Sequence, residues 1–411
     1  MADAMLQGDF DTPAKNFDEA VAKQLTPEAL KEAFEGTVKD LGAHVDRVSA
    51  EGTILDDHYV VAVVEQYEKT GLLIQLTYNT EGKIAGLWLN YAEIDQLVPE
   101  TGEGYVSEEI TIAGDPELPL PGTLTLPEAG EKFPVVILVH GSGSSDRNEN
   151  INGNKPFADI AIGLAKEGIA TIRYDKRYYV YPENGIDLGT DLTLREEVLD
   201  DVNAAIALAK SDDRLDSSRI YVLGHSLGGM LTPAIASENP DLAGIISMAG
   251  SLRPLWEISY DQNQELIASI NTDVLPAEDL ELLEEQIAQI EDEIQILRSD
   301  AFQSKTDDTM IMGIPVSYWK SLSEYQGMNF IHEISLPILV LQGDADFQVY
   351  PDKDYALWQE TIGDRDNTVL RLYEGLNHLM MPTQGKRDTS EYAIPGNVAP
   401  EVIADIADFI N

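Results

Sequence analysis

Short apolar runs separated by segments with helical spacing dominate the sequence from about residue 105 onward. The runs are Val135–Val139, Ala170–Tyr174, Ile220–Leu223, Gly244–Met248, Ile338–Leu341 and Val369–Tyr373. Continuous apolar runs of this length suit the strands of a parallel sheet that is buried on both faces. Strands that alternate with helices predict a doubly wound α/β fold, and in such folds the functional site lies at the carboxyl ends of the strands.

The region before residue 98 shows a different pattern. Thr26 followed by Pro27 predicts the start of a helix, because a hydroxyl can cap the first turn and proline fits the first helical position. Strand-like runs separated by turn sequences come next, at Tyr59–Tyr67, Leu72–Tyr78 and Ile84–Leu89. We therefore predict a small α+β domain over residues 1–98 and an α/β domain over residues 105–411.

Residues 252–335 interrupt the strand-helix alternation of the second domain. An apolar stripe with spacings of three and four residues runs through Leu280, Leu283, Ile287, Ile290, Ile294 and Leu297, after Pro276. This spacing predicts a long helix whose apolar face packs on a neighbour, or a dimerising coiled coil, with packing within the chain favoured. Inserted before the final strands, the helical segment is expected to form a cap over the site.

Composition excludes several classes of function. Lys and Arg number 27 against 73 Asp and Glu, so the formal net charge is −46. Nucleic acid and anionic membrane surfaces need a basic footprint, and neither is an expected partner. The chain contains no cysteine, which removes disulfides, thiolate metal sites and a cysteine nucleophile.

The sequence shows no segment that would hold it in a membrane or bind a cofactor. The apolar runs are shorter than the roughly 20 residues of a membrane span. The start of the chain shows no signal peptide, so we expect a cytoplasmic protein, or an exported one if a mature chain was trimmed. No metal-binding or phosphate-loop spacing is present, so neither a metal nor a cofactor is expected.

The strongest catalytic motif is Gly224-His225-Ser226-Leu227-Gly228, which matches G-x-S-x-G. It directly follows a predicted strand and directly precedes a predicted helix, which is the context of a nucleophile elbow. A serine on such a turn projects its hydroxyl above the sheet edge, and the flanking glycines let the backbones approach closely. We therefore predict Ser226 as a nucleophile rather than as part of an ordinary glycine-rich turn.

Ser226 needs a base, and His378 is the best placed of the six histidines. It follows the last predicted strand, and it satisfies the chain order of serine, acid and histidine. The acid should lie between them, where Asp344 and Asp346 follow the strand Ile338–Leu341. Residues two apart in an extended loop point differently, and we predict that Asp346 orients His378 while Asp344 caps a turn or meets solvent.

Acyl transfer also needs hydrogen-bond donors for the oxyanion. The backbone N–H of Leu227, next to the nucleophile, is expected to supply one. The loop His140-Gly141-Ser142-Gly143 should supply the other, with the N–H of Ser142 as the first choice and that of Gly143 as the second. A dinucleotide-binding loop is the competing interpretation, but Asp146 stands where its third glycine should be.

Three further segments have two interpretations each. Gly143, together with Met312 and Trp319 of the insertion, could contact substrate, although packing is the more common role of such apolar side chains. Asp146-Arg147 and Arg173–Arg177 could bind a substrate carboxylate, but a local ion-pair network is favoured.

Residues 105–411 resemble the α/β-hydrolase superfamily, on the combined evidence of the oxyanion loop, the elbow, Gly343-x-x-Asp346 and His378. More narrowly, the chain is similar to a group of bacterial carboxylesterases with a small N-terminal domain of unknown function. The shared details are Asp146-Arg147, Tyr174–Arg177 and Leu376–His378. The resemblance implies an NTF2-like fold for the first domain, and the triad Ser226, Asp346 and His378. It also implies cofactor-free hydrolysis of short- to medium-chain acyl esters.

The sequence thus predicts a serine carboxylesterase acting on a small-molecule acyl ester. A peptidase, thioesterase or acyltransferase with the same triad is the nearest alternative, because fold and triad are shared and specificity resides in the insertion. A non-catalytic hydrolase-like binding protein is the alternative from another class. The oligomeric state is not predicted.

Overall fold

The computed structural model describes residues 1–39, 41–55, 58–67, 71–92, 101–181, 193–270 and 277–411. The chain divides into two compact units, each of which gathers more than one segment. The first unit comprises Met1–Val98, Asn150–Lys155 and Asp388–Gly396. The second unit comprises Pro99–Glu149, Pro156–Arg387 and Asn397–Asn411.

Short helices open the first unit, and their bounds are Ala2–Leu6, Asp11–Lys15, Glu19–Gln24 and Pro27–Val38. The last of these begins as predicted. The Thr26 hydroxyl accepts a hydrogen bond from the Ala29 N–H at 3.2 Å, and Pro27 occupies the first turn. Leu30 and Phe34 are buried on one face of this helix, so its apolar spacing marks the side that packs into the core.

An antiparallel sheet follows in the order β1-β2-β3-β4, with strands β1 (His44–Leu55), β2 (His58–Tyr67), β3 (Gly71–Tyr78) and β4 (Ile84–Ala92). Strands β2 to β4 contain the three predicted runs. Strand β1 was not predicted. It lies at the sheet edge, where Val45 and Val48 are about half exposed, and a strand that faces solvent leaves little burial pattern in the sequence.

The second unit contains a larger mixed sheet in the order β15-β14-β11-β10-β8-β9-β7-β6-β5. Its strands are β5 (Thr101–Gly102), β6 (Tyr105–Ile112), β7 (Leu120–Pro127), β8 (Phe133–Val139), β9 (Ala170–Tyr174), β10 (Leu215–His225), β11 (Gly244–Met248), β14 (Ile338–Gly343) and β15 (Thr368–Tyr373). Strands β8 to β11, β14 and β15 pair in parallel and correspond to the predicted apolar runs. The predicted doubly wound, mostly parallel sheet is thereby confirmed.

Antiparallel strands extend this sheet at one end, where β7 pairs with β9 and β6 pairs with β7. This extension was not predicted. Strand β7 contains Pro121, Gly122 and Pro127, and proline and glycine normally interrupt or end a strand. Leu120 and Leu124 of the same strand are nonetheless buried, so packing overrides the local sequence signal.

Helices lie between the strands of the second unit. Their bounds are Pro156–Lys166, Arg177–Val180, Asp200–Ser211 (preceded by a π-helical turn, Arg195–Leu199), Leu227–Glu238, Ala356–Ile362 (preceded by a π-helical turn, Pro351–Tyr355) and Pro400–Ile410. Short 3₁₀ turns occur at Ala301–Ser304, Gly327–Asn329 and, in the first unit, Thr389–Ala393.

The insertion lies between β11 and β14 and is mainly helical. It contains the helices Leu255–Ser269, Ala277–Arg298 and Val316–Glu324, and a hairpin of β12 (Met310–Ile311) and β13 (Ile314–Pro315). Pro276, which precedes the predicted long helix, lies outside the described residues. Ile294 and Leu297 of that helix belong to the buried core of the unit, which agrees with packing inside the chain. Among the described helices, none is sufficiently long and apolar to cross a membrane.

Neighbouring strands provide a matched test of the core. Leu339 of β14 is wholly buried, whereas Leu372 of β15 is 48% exposed. We expect Leu339→Ala to lower the free energy of unfolding by about 2–5 kcal/mol, because it leaves a cavity. Leu372→Ala should change it by less than about 0.5 kcal/mol. Urea unfolding followed by circular dichroism measures both, and equal effects would contradict the described packing.

Candidate active site

The predicted site residues converge on one edge of the large sheet. Ser226 directly follows β10, Asp346 follows β14 and His378 follows β15, while the loop that starts at His140 follows β8. These strands are parallel to one another, so their carboxyl ends lie on the same edge. The fold therefore brings together residues that are far apart in the sequence.

Ser226 has a strained backbone at the strand-to-helix turn. Its φ of 53° and ψ of −116° are unusual for a residue other than glycine, and such strain typically costs about 1–3 kcal/mol. The Ser226 N–H donates to the Met248 carbonyl at 2.9 Å, and its carbonyl accepts from the Met230 N–H at 2.9 Å. The helix Leu227–Glu238 begins at once, so the turn presents the half-buried serine at the helix N-terminus.

The elbow needs glycine on both sides of Ser226. A Cβ at Gly224 would lie 2.1 Å from the carbonyl oxygen of Gly228. A Cβ at Gly228 would lie 2.3 Å from the carbonyl oxygen of Val139, on the neighbouring strand. Both distances are far shorter than real contacts, and the colliding atoms are backbone. The glycines of the G-x-S-x-G pattern are thus required because three backbone segments approach one another closely here.

Asp346 and His378 form a buried pair. The Nδ1 of His378 lies 2.8 Å from Oδ2 of Asp346, and both residues are at most 3% exposed. The same carboxylate accepts hydrogen bonds from the Gln342 amide, at 2.8 Å, and from the N–H groups of Gln348 and Val349, at 2.8 and 3.0 Å. When the neutral imidazole donates Nδ1–H to Asp346, its Nε2 is left free to accept a proton.

Asp344 occupies a different environment from Asp346. It is exposed, and its Oδ1 accepts a hydrogen bond from the Gly375 N–H at 2.7 Å. The structure thus places one aspartate against the histidine and uses the other to hold the loop that follows β15.

The loop after β8 passes directly beside Ser226. A Cβ at Gly141 would lie 3.1 Å from the Cβ of Ser226. Ser142 and Gly143 are exposed, and Gly143 has a φ of 85°, which favours glycine. The Leu227 N–H belongs to the first turn of its helix and therefore has no acceptor within the helix. The two predicted oxyanion donors thus come from segments that meet at the nucleophile.

A buried ion pair behind the nucleophile was not predicted. Nδ1 of His225 lies 2.9 Å from Oε2 of Glu149, while Nε2 of His225 binds the carbonyl oxygen of His378 at 3.0 Å. Burial opposes the charged imidazolium, but the adjacent carboxylate outweighs it and raises the pKa of His225. Burial also opposes the charged carboxylate of Glu149, but the adjacent His225 outweighs burial and lowers the pKa of Glu149. Both ring nitrogens of His225 therefore lie within 3.0 Å of an oxygen, which places this residue as a support of the elbow.

Comparisons with known proteins identify the family of the chain. The family model described as serine aminopeptidase, S33, matches residues 130–383. The chain belongs to this α/β-hydrolase family. A second model, described as a protein of unknown function (DUF3887), matches residues 1–87.

The relatives of this hydrolase include proteins with esterase names. It is 31% identical over 401 residues to "Esterase EstD" of Thermotoga maritima, covering 97% of this chain and 90% of the relative. It is 30% identical over 140 residues to "Putative esterase NocK" of Nocardia uniformis, covering 32% of this chain and 36% of that relative. The solved structure of Est1E from Butyrivibrio proteoclasticus aligns with 66% of this chain and 90% of that chain, at 19% identity and a TM-score of 0.42.

Charged residues around the oxyanion loop of the hydrolase form ion pairs. The guanidinium of Arg147 makes two hydrogen bonds to Asp175, at 3.0 and 2.9 Å, and the Arg147 backbone N–H makes a third, at 2.7 Å. Lys176 pairs with Glu197 at 2.7 Å, and Arg177 pairs with Asp201 at 2.6 Å. This arrangement agrees with the local ion-pair interpretation of both sequence segments. The partners Glu197 and Asp201 lie in or next to a π-helical turn and were not predicted, since nothing in the sequence marks them as partners.

The predicted substrate residues of the insertion differ in their surroundings. Trp319 is 2% exposed, and its indole N–H donates to the Ile311 carbonyl at 3.0 Å. Met312 is partly buried, and its backbone N–H donates to Glu293 at 2.6 Å. Both residues thus contribute to packing or hydrogen bonding within the insertion, and their contact with substrate stays a prediction. Within the described part of the chain, no group of three or more His, Asp or Glu side chains is arranged to hold a metal.

His140, at the start of the oxyanion loop, is buried and neutral near pH 7. Its Nε2 lies 2.9 Å from the Asp146 carbonyl oxygen, and its ring packs against Phe157 and Tyr174. Burial is the main cause that lowers the pKa of His140 from 6.5 to about 4. In the unfolded chain the same imidazole would protonate near pH 6.5.

This difference predicts a pH-dependent loss of stability. Between pH 6.5 and about 4, His140 binds a proton in the unfolded chain but not in the folded chain. The free energy of unfolding therefore falls as the pH falls through this window. The full shift corresponds to about 3 kcal/mol. We expect His140→Gln, which keeps a donor but does not titrate, to lose less stability on acidification than the wild type. Urea unfolding from pH 7 to 4 measures this difference, and parallel curves would contradict the assignment.

Proposed function

We propose that this hydrolase is a serine carboxylesterase in which Ser226 is the nucleophile, His378 the general base and Asp346 the orienting acid. The observation that carries the proposal is the buried 2.8 Å pair of His378 and Asp346 at the sheet edge that presents Ser226. A strained serine beside a histidine with a free nitrogen is the arrangement that nucleophilic acyl transfer requires.

The first half of the reaction forms an acyl-enzyme. The Oγ of Ser226 attacks the ester carbonyl carbon while Nε2 of His378 takes the hydroxyl proton. The C–O bond to the leaving alcohol then breaks as the tetrahedral intermediate collapses, and His378 returns the proton to the departing oxygen. Asp346 holds the imidazole through Nδ1 and stabilises its positive charge during both steps.

The second half releases the acid. Water attacks the acyl carbon as Nε2 of His378 takes one of its protons. The bond to Oγ then breaks, and His378 returns the proton to Ser226, so that one ester and one water give one alcohol and one carboxylic acid. In both halves the negative charge on the carbonyl oxygen is held by the N–H groups of Leu227 and Ser142, with that of Gly143 as the alternative donor.

Esters are the favoured substrates. The relative that shares most of its length with this chain is named an esterase, and the resemblance stated above implies short- to medium-chain acyl groups. We place specificity in the insertion of residues 252–335, acting as a cap, with Met312 and Trp319 as contributors. The family description as a serine aminopeptidase favours a peptidase as the second candidate, since the same residues can cleave an amide.

The proposal predicts turnover of p-nitrophenyl esters that depends on Ser226. Wild type and Ser226→Ala are compared across acyl lengths from acetate to laurate, together with the matching p-nitroanilides. We expect ester hydrolysis with an optimum at short or medium length, little anilide hydrolysis, and loss of turnover by roughly 10⁴-fold or more in the variant. Anilide hydrolysis that exceeds ester hydrolysis would identify a peptidase, and unchanged turnover in Ser226→Ala would exclude this nucleophile.

The two aspartates after β14 offer a matched pair of variants. Asp346→Asn should lower kcat by about 10²–10⁴-fold, because the amide no longer holds the productive histidine tautomer. Asp344→Asn should leave kcat within a few-fold of wild type, since Asp344 is exposed and contacts the Gly375 N–H. Steady-state kinetics on the best ester measures both. A larger loss for Asp344→Asn would reverse the assignment of the acid.

A further inference from the structure

A buried ammonium group binds the oxyanion loop from behind. Nζ of Lys176 donates to the carbonyl oxygen of Gly141 at 2.9 Å and to Oε1 of Glu197 at 2.7 Å. Lys176 is 2% exposed and Glu197 is 6% exposed. The loop is held by the backbone as well, since the Lys176 N–H donates to the Ser145 carbonyl at 3.0 Å.

The carbonyl that Lys176 binds belongs to the same peptide group as the Ser142 N–H. This peptide bond is trans, so its C=O and its N–H point in opposite directions. Fixing the Gly141 oxygen toward buried Lys176 therefore fixes the Ser142 N–H toward the other side. That side is the open one, because Ser142 is exposed while Gly141 and Lys176 are buried.

The preceding peptide is held by an opposite charge. The Gly141 N–H donates to Oε1 of Glu149 at 2.6 Å. Gly141 itself lies beside Ser226, since a Cβ added at Gly141 would be 3.1 Å from the Cβ of Ser226. One carboxylate and one ammonium thus fix the two peptide planes that flank Gly141, at the point where the loop passes the nucleophile.

Stability alone does not explain a buried lysine here. Transferring an ammonium and a carboxylate out of water is unfavourable for each ion, and apolar residues of similar volume often stabilise a protein at least as well. A buried pair that also binds a functional backbone carbonyl can instead serve to hold that group in one direction. A preorganised donor of this kind costs no reorganisation when charge develops on the substrate.

The helical insertion contacts the same pair. The hydroxyl of Tyr318, in the helix Val316–Glu324, donates to Oε2 of Glu197. A continuous set of hydrogen bonds therefore runs from the insertion through Glu197 and Lys176 to the Gly141 carbonyl.

We propose that Lys176 is a positioning residue of the oxyanion hole, which directs the Ser142 N–H at the substrate by holding the Gly141 carbonyl, and that Glu197 and Tyr318 hold Lys176 in place. This inference rests on the proposed function, because it assumes an oxyanion at Ser142.

Lys176→Met tests the inference, because methionine has a similar length but neither charge nor donor. Arg177→Met is the matched control, because this substitution also removes a buried ion pair, the one with Asp201. Arg177 makes no described hydrogen bond to the oxyanion loop. The full-length variants are assayed on the best p-nitrophenyl ester and with a fluorophosphonate that labels Ser226. Circular dichroism and thermal unfolding report folding.

We expect Lys176→Met to lower kcat by about 10- to 10³-fold with KM within about twofold, since an oxyanion donor acts mainly in the transition state. The labelling rate should fall in parallel, because the phosphonyl oxygen occupies the same hole. Arg177→Met should keep kcat within about threefold. A folded Lys176→Met with the kcat and labelling rate of the control would overturn the role of Lys176.

A second variant decides the question if Lys176→Met does not fold. Glu197→Gln keeps the shape of the carboxylate but weakens its hold on the ammonium, and it should lower kcat several-fold at unchanged KM. Wild-type kcat in that folded variant would count against the inference. A wild type that neither hydrolyses esters nor accepts the label would overturn the proposed function and this inference together, whereas an active wild type with an unaffected Lys176→Met overturns the inference alone.

Discussion

The close approach of three backbone segments at Ser226 is the constraint on which the rest of the candidate site depends. Gly228 packs against the Val139 carbonyl, Gly224 packs against Gly228, and Ser226 is held at a φ of 53° between them. Such a conformation persists only when the surrounding structure over-determines it, and here the parallel strands β8, β10 and β11 do so. The same strands fix the point at which the oxyanion loop leaves the sheet. The strained backbone of Ser226 and the positions of the proposed oxyanion donors therefore depend on the same strands.

Much of this arrangement could be predicted because its signals are local. The elbow is a contiguous motif between a strand and a helix. The alternation of an extended loop predicts that only one of Asp344 and Asp346 faces the histidine, and the family resemblance implies that it is Asp346. The pairing of His225 with Glu149 left no such signal, because it joins residues from two loops that have no periodic relation. Strand β1 was missed since an exposed edge carries no burial pattern, and β7 was missed since its proline and glycine contradict its buried leucines.

Electrostatics within the second unit contrast with the composition of the chain. The protein carries a formal charge of −46, yet Lys176 and Arg177 are buried and Arg147 is partly buried, each against a carboxylate. The chain has few basic residues, and these three lie in segments that follow β8 and β9, beside the candidate site. Beside the candidate site, charges thus occur as individual buried pairs.

The hydrogen bond from His225 to the carbonyl of His378 joins positions 153 residues apart in the chain. One end is the immediate neighbour of Ser226, the proposed nucleophile, and the other is His378, the proposed general base. This bond can form only after β15 has joined the sheet, because β15 leads directly into the loop of His378. In a nascent chain that has completed the elbow, the proposed base is thus still absent from the site, and the proposed triad can assemble only once the last strand has joined the sheet.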